Sequence, residues 1–278
     1  MDEKVIKNIK RKRVINMFLL VLILVLTIVF CYSSYKIILW QMDNNKGSAA
    51  QNNAINDSDM EEVSAKSAKK AKKPKNKFDP YFDYINYPLI NVNFTNLLKT
   101  NPDTVAWIQI KGTKINYPVV QSSNNSFYLN HDYYRKYNEA GWVFMDYRNN
   151  NIMNKNTIIY AHSRVDGSMF HTLRNTLDEK WFNNKDNRVI KISTPDYNAS
   201  YLIFSTYKIN AESYYLSTDF TDDIDFEKWL NKIKNRSKFD FNTEVYKEDS
   251  ILTLSSCYTA NGVRMVVHAR LINIEEKN

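Results

Sequence analysis

The stretch SILTLSSC, residues 250–257, is an apolar run of β-forming residues that ends on Cys257. A second β-type run, GVRMVVHA at residues 262–269, follows after a short gap and carries Arg264. A thiol at the end of one strand, facing an arginine on the next, indicates a nucleophile with a cation beside it to hold an oxyanion. The thiol also needs a base, and the candidate is His162 at the end of the upstream run IIYAH.

Other β-type runs recur from Val105 to Ile274. Their enrichment in Val, Ile and Tyr and their short separations predict a β-barrel or β-sandwich. Asp222–Ile233 instead has apolar residues at helical spacing, which predicts an amphipathic helix capped by Thr221 or Asp222. Phe82–Lys99 is expected to form helices or turns ahead of the barrel. The predicted strands are Val105–Ile110, Lys114–Val120, Thr157–His162, Arg188–Ser193, Ala199–Ile209, Ile251–Ser255 and Val263–Ile274.

The positive charge of the chain is confined to its first part. The formal net charge is +8, yet residues 78–278 carry 23 Lys or Arg against 23 Asp or Glu, so the excess lies before residue 78. A neutral globular domain lacks the basic footprint of a nucleic-acid-binding protein, so no nucleic-acid partner is expected. We predict a catalytic domain over residues 78–278.

The first 40 residues have the pattern of a membrane anchor. Residues 14–40 are dominated by apolar side chains, and their uncharged part is long enough to cross a bilayer. The basic tail of residues 1–13 should remain cytoplasmic, which leaves the rest of the chain outside. A cleaved signal peptide is the alternative, but its apolar region would be shorter and would end in an A-x-A-like site. Cys31 is interpreted as an apolar filler within the anchor.

Residues 41–77 are predicted to be a flexible, lysine-rich linker. Their composition of Asn, Ser, Ala and Lys offers too little apolar area to offset the loss of chain entropy. A transient helix within residues 59–73 is possible from their Glu, Ala and Lys content. The seven lysines of residues 65–77 suit a solvated spacer, with contact to anionic wall polymers or lipid headgroups as the alternative.

The cysteine and histidine content argues against a metal site. Cys31 and Cys257 are the only cysteines, and one lies in the anchor, so they are not expected to pair. A single thiol outside the anchor is unusual for an extracellular domain and indicates a reactive group. The four histidines show no ligand spacing with cysteines or acids, so we expect neither a structural zinc nor another cofactor.

Several ordered motifs resemble the sortases, the cysteine transpeptidases of Gram-positive bacteria. LSSC at residues 254–257 is similar to the cysteine signature of that family, Arg264 matches its arginine, and residues 160–170 are similar to its histidine segment. The resemblance covers roughly residues 80–275 and is strongest to class B. The motifs typical of that class are Asn101–Ile108, Tyr117–Gln121, Tyr128–Asp132 and Phe144–Arg148.

This resemblance implies a mainly β fold, a closed sortase-like barrel with N-terminal helices and an amphipathic helix before the cysteine strand. It implies that Cys257 cleaves an Asn-Pro-x-Thr-like C-terminal sorting motif of secreted proteins. The thioacyl enzyme would then transfer the Thr carbonyl to an amine of a peptidoglycan precursor. The enzyme would be a single-pass protein of the cell membrane with its catalytic domain extracellular.

The resemblance also resolves a choice between similar residues. Strand alternation places His268 and Arg270 on the same face as Arg264, so they compete with His162 and Arg264 for the two roles. The family match selects His162 as the acid–base group and Arg264 as the oxyanion stabiliser. The backbone N–H of Tyr258 is a candidate for a second donor to the oxyanion.

Residue-by-residue similarity also suggests a substrate groove formed by Asn125, Leu129, Tyr160 and Ser255. Three other functions remain open from the sequence: a cysteine peptidase that uses water as acceptor, a pilin-polymerising sortase, and a non-catalytic tethered surface domain.

Overall fold

A computed structural model describes residues 3–65, 69–70, 72–210, 212–257 and 262–277. Its contacts divide the chain into two compact units, Met1–Asn45 and Lys46–Asn278. The described part of the first unit is helical throughout, since helix α1 comprises Glu3–Asp57. Within the described residues, α1 is the one helix with the length and apolar composition to cross a membrane.

The second unit contains short helices and eleven described strands. They are, in chain order, β1 Glu61–Val63, β2 Lys69–Lys70, α2 Tyr81–Tyr84, β3 Leu89–Asn91, α3 Thr95–Thr100, β4 Thr104–Ile110, β5 Asn116–Val120, β6 Phe144–Met145, β7 Asn156–Ala161, α4 Glu179–Asn183, β8 Val189–Ser193, β9 Tyr197–Ile209, α5 Asp223–Asn235, β10 Ile251–Cys257 and β11 Arg264–Glu276. Among the described residues, β1 and β3 form a separate antiparallel pair.

Eight of the described strands close into a barrel. The order is β10-β7-β6-β5-β4-β8-β9-β11, and the β10–β11 pairing completes the circle. The pairs β7–β10 and β5–β6 are parallel, the others in the barrel are antiparallel, and β2 adds to the outer end of β11. The predicted closed β-barrel is confirmed.

Alternation along the strands produces two apolar layers. Odd positions of β11, such as Val267, join the cluster inside the barrel together with Trp107, Ile159 and Leu254. Even positions such as Val266 face outward and pack under α5. Odd- and even-numbered residues such as Val267 and Val266 therefore pack in different apolar layers, as the two-residue period of a strand requires.

Helix α5 covers this outer layer. Its buried residues Phe226, Leu230 and Ile233 lie at the spacing of one helix face, which confirms the predicted amphipathic helix. The Asp222 carboxylate accepts a hydrogen bond from the Asp225 N–H at 2.8 Å and caps the helix.

The seven predicted strands are all present, with ends within two residues of those predicted. The two-residue strand β6 was not predicted, because so short a run has no readable alternation. Phe82–Lys99 contains parts of α2 and α3, and it also contains strand β3.

The segment predicted as a flexible linker differs in the structure. Its first part continues α1 to Asp57, where Ala50 and Ala54 are buried in the barrel cluster. The Gln51 side chain donates a hydrogen bond to the Asn116 carbonyl at 3.0 Å. Strands β1 and β2 lie where a transient helix was considered. Burial of small alanines, which carry little hydropathy signal, explains why composition alone indicated a spacer.

Candidate active site

The ends of three neighbouring strands bring the predicted site residues together. Strand β10 runs parallel to β7, with Ser256 opposite Ala161, so Cys257 and His162 are the next residues at the same end. On the other side of β10, Cys257 is paired with Arg264, the first residue of β11. Neighbouring strands lie about 4.8 Å apart, so the backbone of Cys257 lies between those of His162 and Arg264 and close to both.

The described part of this site has a gap after Cys257. The backbone of Cys257 closes strand β10. Tyr258, whose N–H is the predicted second oxyanion donor, lies outside the described residues. Arg264 is half-buried at the start of β11.

A backbone carbonyl orients the His162 ring. Nε2 of His162 lies 2.8 Å from the Leu129 carbonyl oxygen. A carbonyl only accepts, so Nε2 carries a hydrogen, and Nδ1 is the nitrogen that exchanges a proton. Leu129, predicted to line the groove, therefore positions the histidine through its backbone, while its side chain is exposed.

Gly141 makes this arrangement possible. Its φ is +60°, and a Cβ there would lie 2.5 Å from the Tyr128 carbonyl oxygen and 2.7 Å from the Leu129 carbonyl oxygen. The chain can pass this close to residues 128–129 only because glycine has no side chain and tolerates a positive φ.

The competing histidine has a structural environment. His268 is fully buried, with Nε2 2.8 Å from the Tyr207 hydroxyl and Nδ1 2.8 Å from Oγ1 of Thr253. Thr253 donates its own proton to Asn156, so it accepts from Nδ1. Burial lowers the pKa of His268 to about 3, which keeps the ring neutral. At about 3.4 Å per residue, His268 is roughly 14 Å along β11 from Arg264.

The competing arginine is also structural. Arg270 is fully buried and forms an ion pair with Asp249 at 2.9 Å. Its guanidinium also donates to the carbonyls of Glu244, at 2.6 Å, and Lys72, at 2.9 Å. It ties the end of the predicted linker to the segment before β10.

Two predicted groove residues meet at a buried carboxylate that the sequence reasoning did not single out. Asp146 follows β6, and one of its oxygens accepts hydrogen bonds from Asn125 Nδ2 at 2.9 Å and the Tyr160 hydroxyl at 2.8 Å. Arg148 donates to both oxygens of the same carboxylate, at 2.9 and 2.7 Å. The only signal for Asp146 was its place in the motif FMDYR.

The electrostatics of this cluster keep Asp146 ionised. Burial by itself would raise the pKa of the Asp146 carboxyl, but hydrogen bonds from Arg148 and Tyr160 outweigh it and lower the pKa. Burial and the neighbouring carboxylate raise the pKa of Tyr160, so its hydroxyl stays a donor.

The fourth predicted groove residue is tied to the same cluster indirectly. The Ser255 hydroxyl lies 3.0 Å from that of Tyr215. Arg148 donates to the carbonyl of Leu216, the next residue after Tyr215, at 3.1 Å. The Asp146–Arg148 pair thus links Asn125 and Tyr160 to the loop that contacts Ser255.

A cavity lies at the other end of the barrel. It has a volume of about 1370 Å³ and is lined by residues such as Phe94, Tyr197 and Glu276, near the start of β9 and the end of β11. Over the ranges that the structure describes, no group of three or more His, Cys, Asp or Glu has the arrangement of a metal site.

Comparison with known proteins agrees with this geometry. The family model of the sortase domain matches residues 108–272, more than half of the chain. The chain therefore belongs to the sortase family and is a cysteine transpeptidase of that type.

Its relatives place it in class B. It is 39% identical to sortase B of Listeria monocytogenes over 181 residues, 64% of this chain and 73% of the relative. Sortase B of Bacillus anthracis in complex with AAEK1 superposes with a TM-score of 0.68 at 31% identity, covering 84% of this chain and 99% of that one. The Staphylococcus aureus sortase B–substrate complex has a TM-score of 0.61 at 35% identity, covering 65% and 84%.

Proposed function

We propose that this protein is a membrane-anchored transpeptidase that joins secreted proteins to a cell-wall precursor. Cys257 is the nucleophile, His162 the acid–base group and Arg264 the oxyanion stabiliser. The observation that carries this proposal is the register of β7, β10 and β11, which brings these three residues to one end of the barrel.

In the first acyl transfer, the Cys257 thiolate attacks the Thr carbonyl of an Asn-Pro-x-Thr-like sorting motif. The carbonyl oxygen becomes an oxyanion, which the Arg264 guanidinium and the Tyr258 N–H stabilise. When the C–N bond breaks, His162 gives a proton to the leaving amine. The products are a thioacyl enzyme and the released C-terminal tail.

In the second acyl transfer, an amine of a peptidoglycan precursor attacks the thioester. His162, now neutral, takes the proton of the amine, the C–S bond breaks, and the thiolate is restored. The hydrogen bond between Nε2 and the Leu129 carbonyl supports this role, because it directs the exchange of protons to Nδ1.

The sorting motif is proposed to bind along Asn125, Leu129, Tyr160 and Ser255. The polar groups of Asn125 and Tyr160 already bond to Asp146 and its neighbour Tyr147. These two residues are therefore held in place before the motif binds, and the Tyr160 ring provides an apolar surface for it.

The N-terminal helix is proposed to anchor the enzyme, with the basic tail of residues 1–13 in the cytoplasm and the catalytic unit outside. The support is the long apolar helix α1 and the Lys and Arg cluster that precedes its uncharged part. Protease added to intact protoplasts should digest the catalytic unit and spare the tail. Protection of the catalytic unit from the protease would indicate the opposite orientation.

The central experiment incubates the full-length protein in neutral detergent with a panel of sorting-motif peptides. Mass spectrometry would measure cleavage, the thioacyl adduct, and the transpeptidation product formed with an added amine. We expect Asn-Pro-x-Thr peptides to be cleaved and joined to the amine. The Cys257→Ala variant should lose all three signals.

Cys31→Ala is the matched control, because it removes the other thiol from the apolar helix and should leave turnover intact. Turnover that persists in Cys257→Ala would refute the nucleophile. Cleavage without any amine product would indicate a peptidase, and a preference for pilin-type lysine peptides would indicate a polymerising enzyme. A Cys257 that neither cleaves peptides nor reacts with thiol probes would indicate a tethered, non-catalytic domain.

A further inference from the structure

A basic cleft lies beside the strand ends that carry the proposed catalytic residues. It has a volume of about 580 Å³, which is within the range of small-ligand pockets. Its charged lining comes from separate segments of the chain: Arg174, Asp178, Lys208, Arg236 and Lys238. Four cations against one carboxylate form a local excess within residues 78–278, whose charges balance when all of them are counted.

Two carboxylates at or beside the cleft already have partners. The Asp178 carboxylate accepts hydrogen bonds from the backbone N–H groups of Lys180 and Trp181, as the cap of α4. Glu212 contacts Arg236 at 3.3 Å, in a partly exposed pair that is weak in water. Lys238 donates to the neutral carbonyl of Leu177 at 2.7 Å.

Two contacts fix the position of the cleft relative to the reaction. Arg174 donates to the hydroxyl of Ser163, the residue after His162, at 3.3 Å. On β9, Lys208 is paired with Met265, the residue after Arg264 on β11.

The strand register also gives an approximate distance between Cys257 and the cleft. The order β10-β11-β9 puts two strand spacings, about 10 Å, between the backbones of Cys257 and Ile209, the neighbour of Lys208. An extended peptide of three residues spans about this length. A molecule whose amine attacks the thioester can therefore place a group three or more residues away in the cleft.

We propose that this cleft binds an oxyanion, a carboxylate or a phosphate, carried by the amine acceptor at about 10 Å or more from its amine. The inference rests on the proposed transpeptidase function and identifies a feature of its second substrate. The cleft would select acceptors by charge, whereas the sorting motif would be selected in the groove near Asp146.

The test measures acceptor KM and kcat for the full-length protein in neutral detergent at low salt. Acceptor peptides of one, three and five residues carry a C-terminal carboxylate, a C-terminal amide, or a phosphoserine before the amide. We expect the three- and five-residue anionic acceptors to have a KM roughly fivefold to thirtyfold below the amide, with similar kcat. The advantage should shrink as salt is raised.

The double variant Lys208→Gln/Arg236→Gln should remove this advantage and leave cleavage of the sorting peptide without acceptor at the wild-type rate. Lys99→Gln, an exposed charge change outside the cleft, is the matched control and should retain the preference. Preference for only one of the two anions would identify the source of the oxyanion. Equal KM values for anionic and amide acceptors, or a preference that survives in the double variant, would overturn the proposal. Loss of sorting-peptide cleavage in the wild type would instead count against the proposed function.

Discussion

Asp146→Asn should destabilise the proposed sorting-motif groove while leaving Cys257 reactive. The Asp146 side chain has no exposed area, and its two oxygens accept hydrogen bonds from Arg148, Tyr160 and Asn125. Asparagine keeps the shape of the side chain but has one acceptor oxygen and an NH₂ group. In either orientation that NH₂ would face N–H groups of Arg148, which can only donate, and Arg148 would lose its counter-charge.

The structure sets the size of this effect. Removing one partner of a buried ion pair costs about 3–5 kcal/mol. Arg148 keeps 36% of its side-chain area exposed, so water compensates part of the loss, and we expect about 3 kcal/mol. For a unit of this size, each kcal/mol shifts the melting temperature by about 2–4 °C, so Tm should fall by roughly 6–12 °C.

The assay combines thermal unfolding with peptide cleavage well below Tm. Asn125 and Tyr160 lose their shared anchor, so the KM for the sorting peptide should rise about tenfold or more, while labelling of Cys257 by a small thiol probe persists. Asp186→Asn is the matched control, because Asp186 forms an equally short pair with Lys111, at 2.8 Å, but on the surface. A Tm shift for Asp146→Asn no larger than that of the control would refute the reasoning.

Three further predictions use the same assays. His162→Ala should lose about 10²–10⁴-fold in turnover with Tm unchanged, whereas His268→Ala should mainly lower Tm. Arg264→Lys should lose about 10²–10³-fold in turnover without unfolding. Arg270→Lys should instead destabilise the protein, because it leaves buried carbonyls unpaired. The reverse pattern in either the histidine pair or the arginine pair would contradict the proposed site. Because the pKa of Asp146 is lowered from 3.8, its contribution is complete above that pH and is lost in more acid solution. The stability gap between wild type and Asp146→Asn should therefore narrow in acid titrations below about pH 4.

The barrel was predictable because its strands carry their own signal. Runs of Val, Ile and Tyr mark β4, β5, β7 and β9 in a single reading of the chain, and α5 repeats its apolar residues at helical spacing. These patterns are local, so no knowledge of distant contacts was needed. Strand β6 was missed because two residues cannot show a period.

The segment after residue 45 was not predictable for a different reason. Ala50 and Ala54 are one helical turn apart and both buried, but alanine contributes little to any hydropathy pattern. Their burial depends on the barrel surface that they meet, which is formed by residues far along the chain. The same holds for the basic cleft, whose cations come from three separate segments.

The roles within the site follow from position along a strand as well as from its faces. Period-two alternation puts Arg264, His268 and Arg270 on one face of β11, and by that criterion they are equivalent. The register separates them, because only Arg264 lies opposite Cys257 at the strand end, while His268 and Arg270 lie deeper and are enclosed by neighbouring elements. Enclosure lowers the pKa of His268 to about 3 and removes it from proton exchange at neutral pH. A residue type gains a chemical role here only where a strand ends, because only there can its polar group meet a substrate instead of a buried partner.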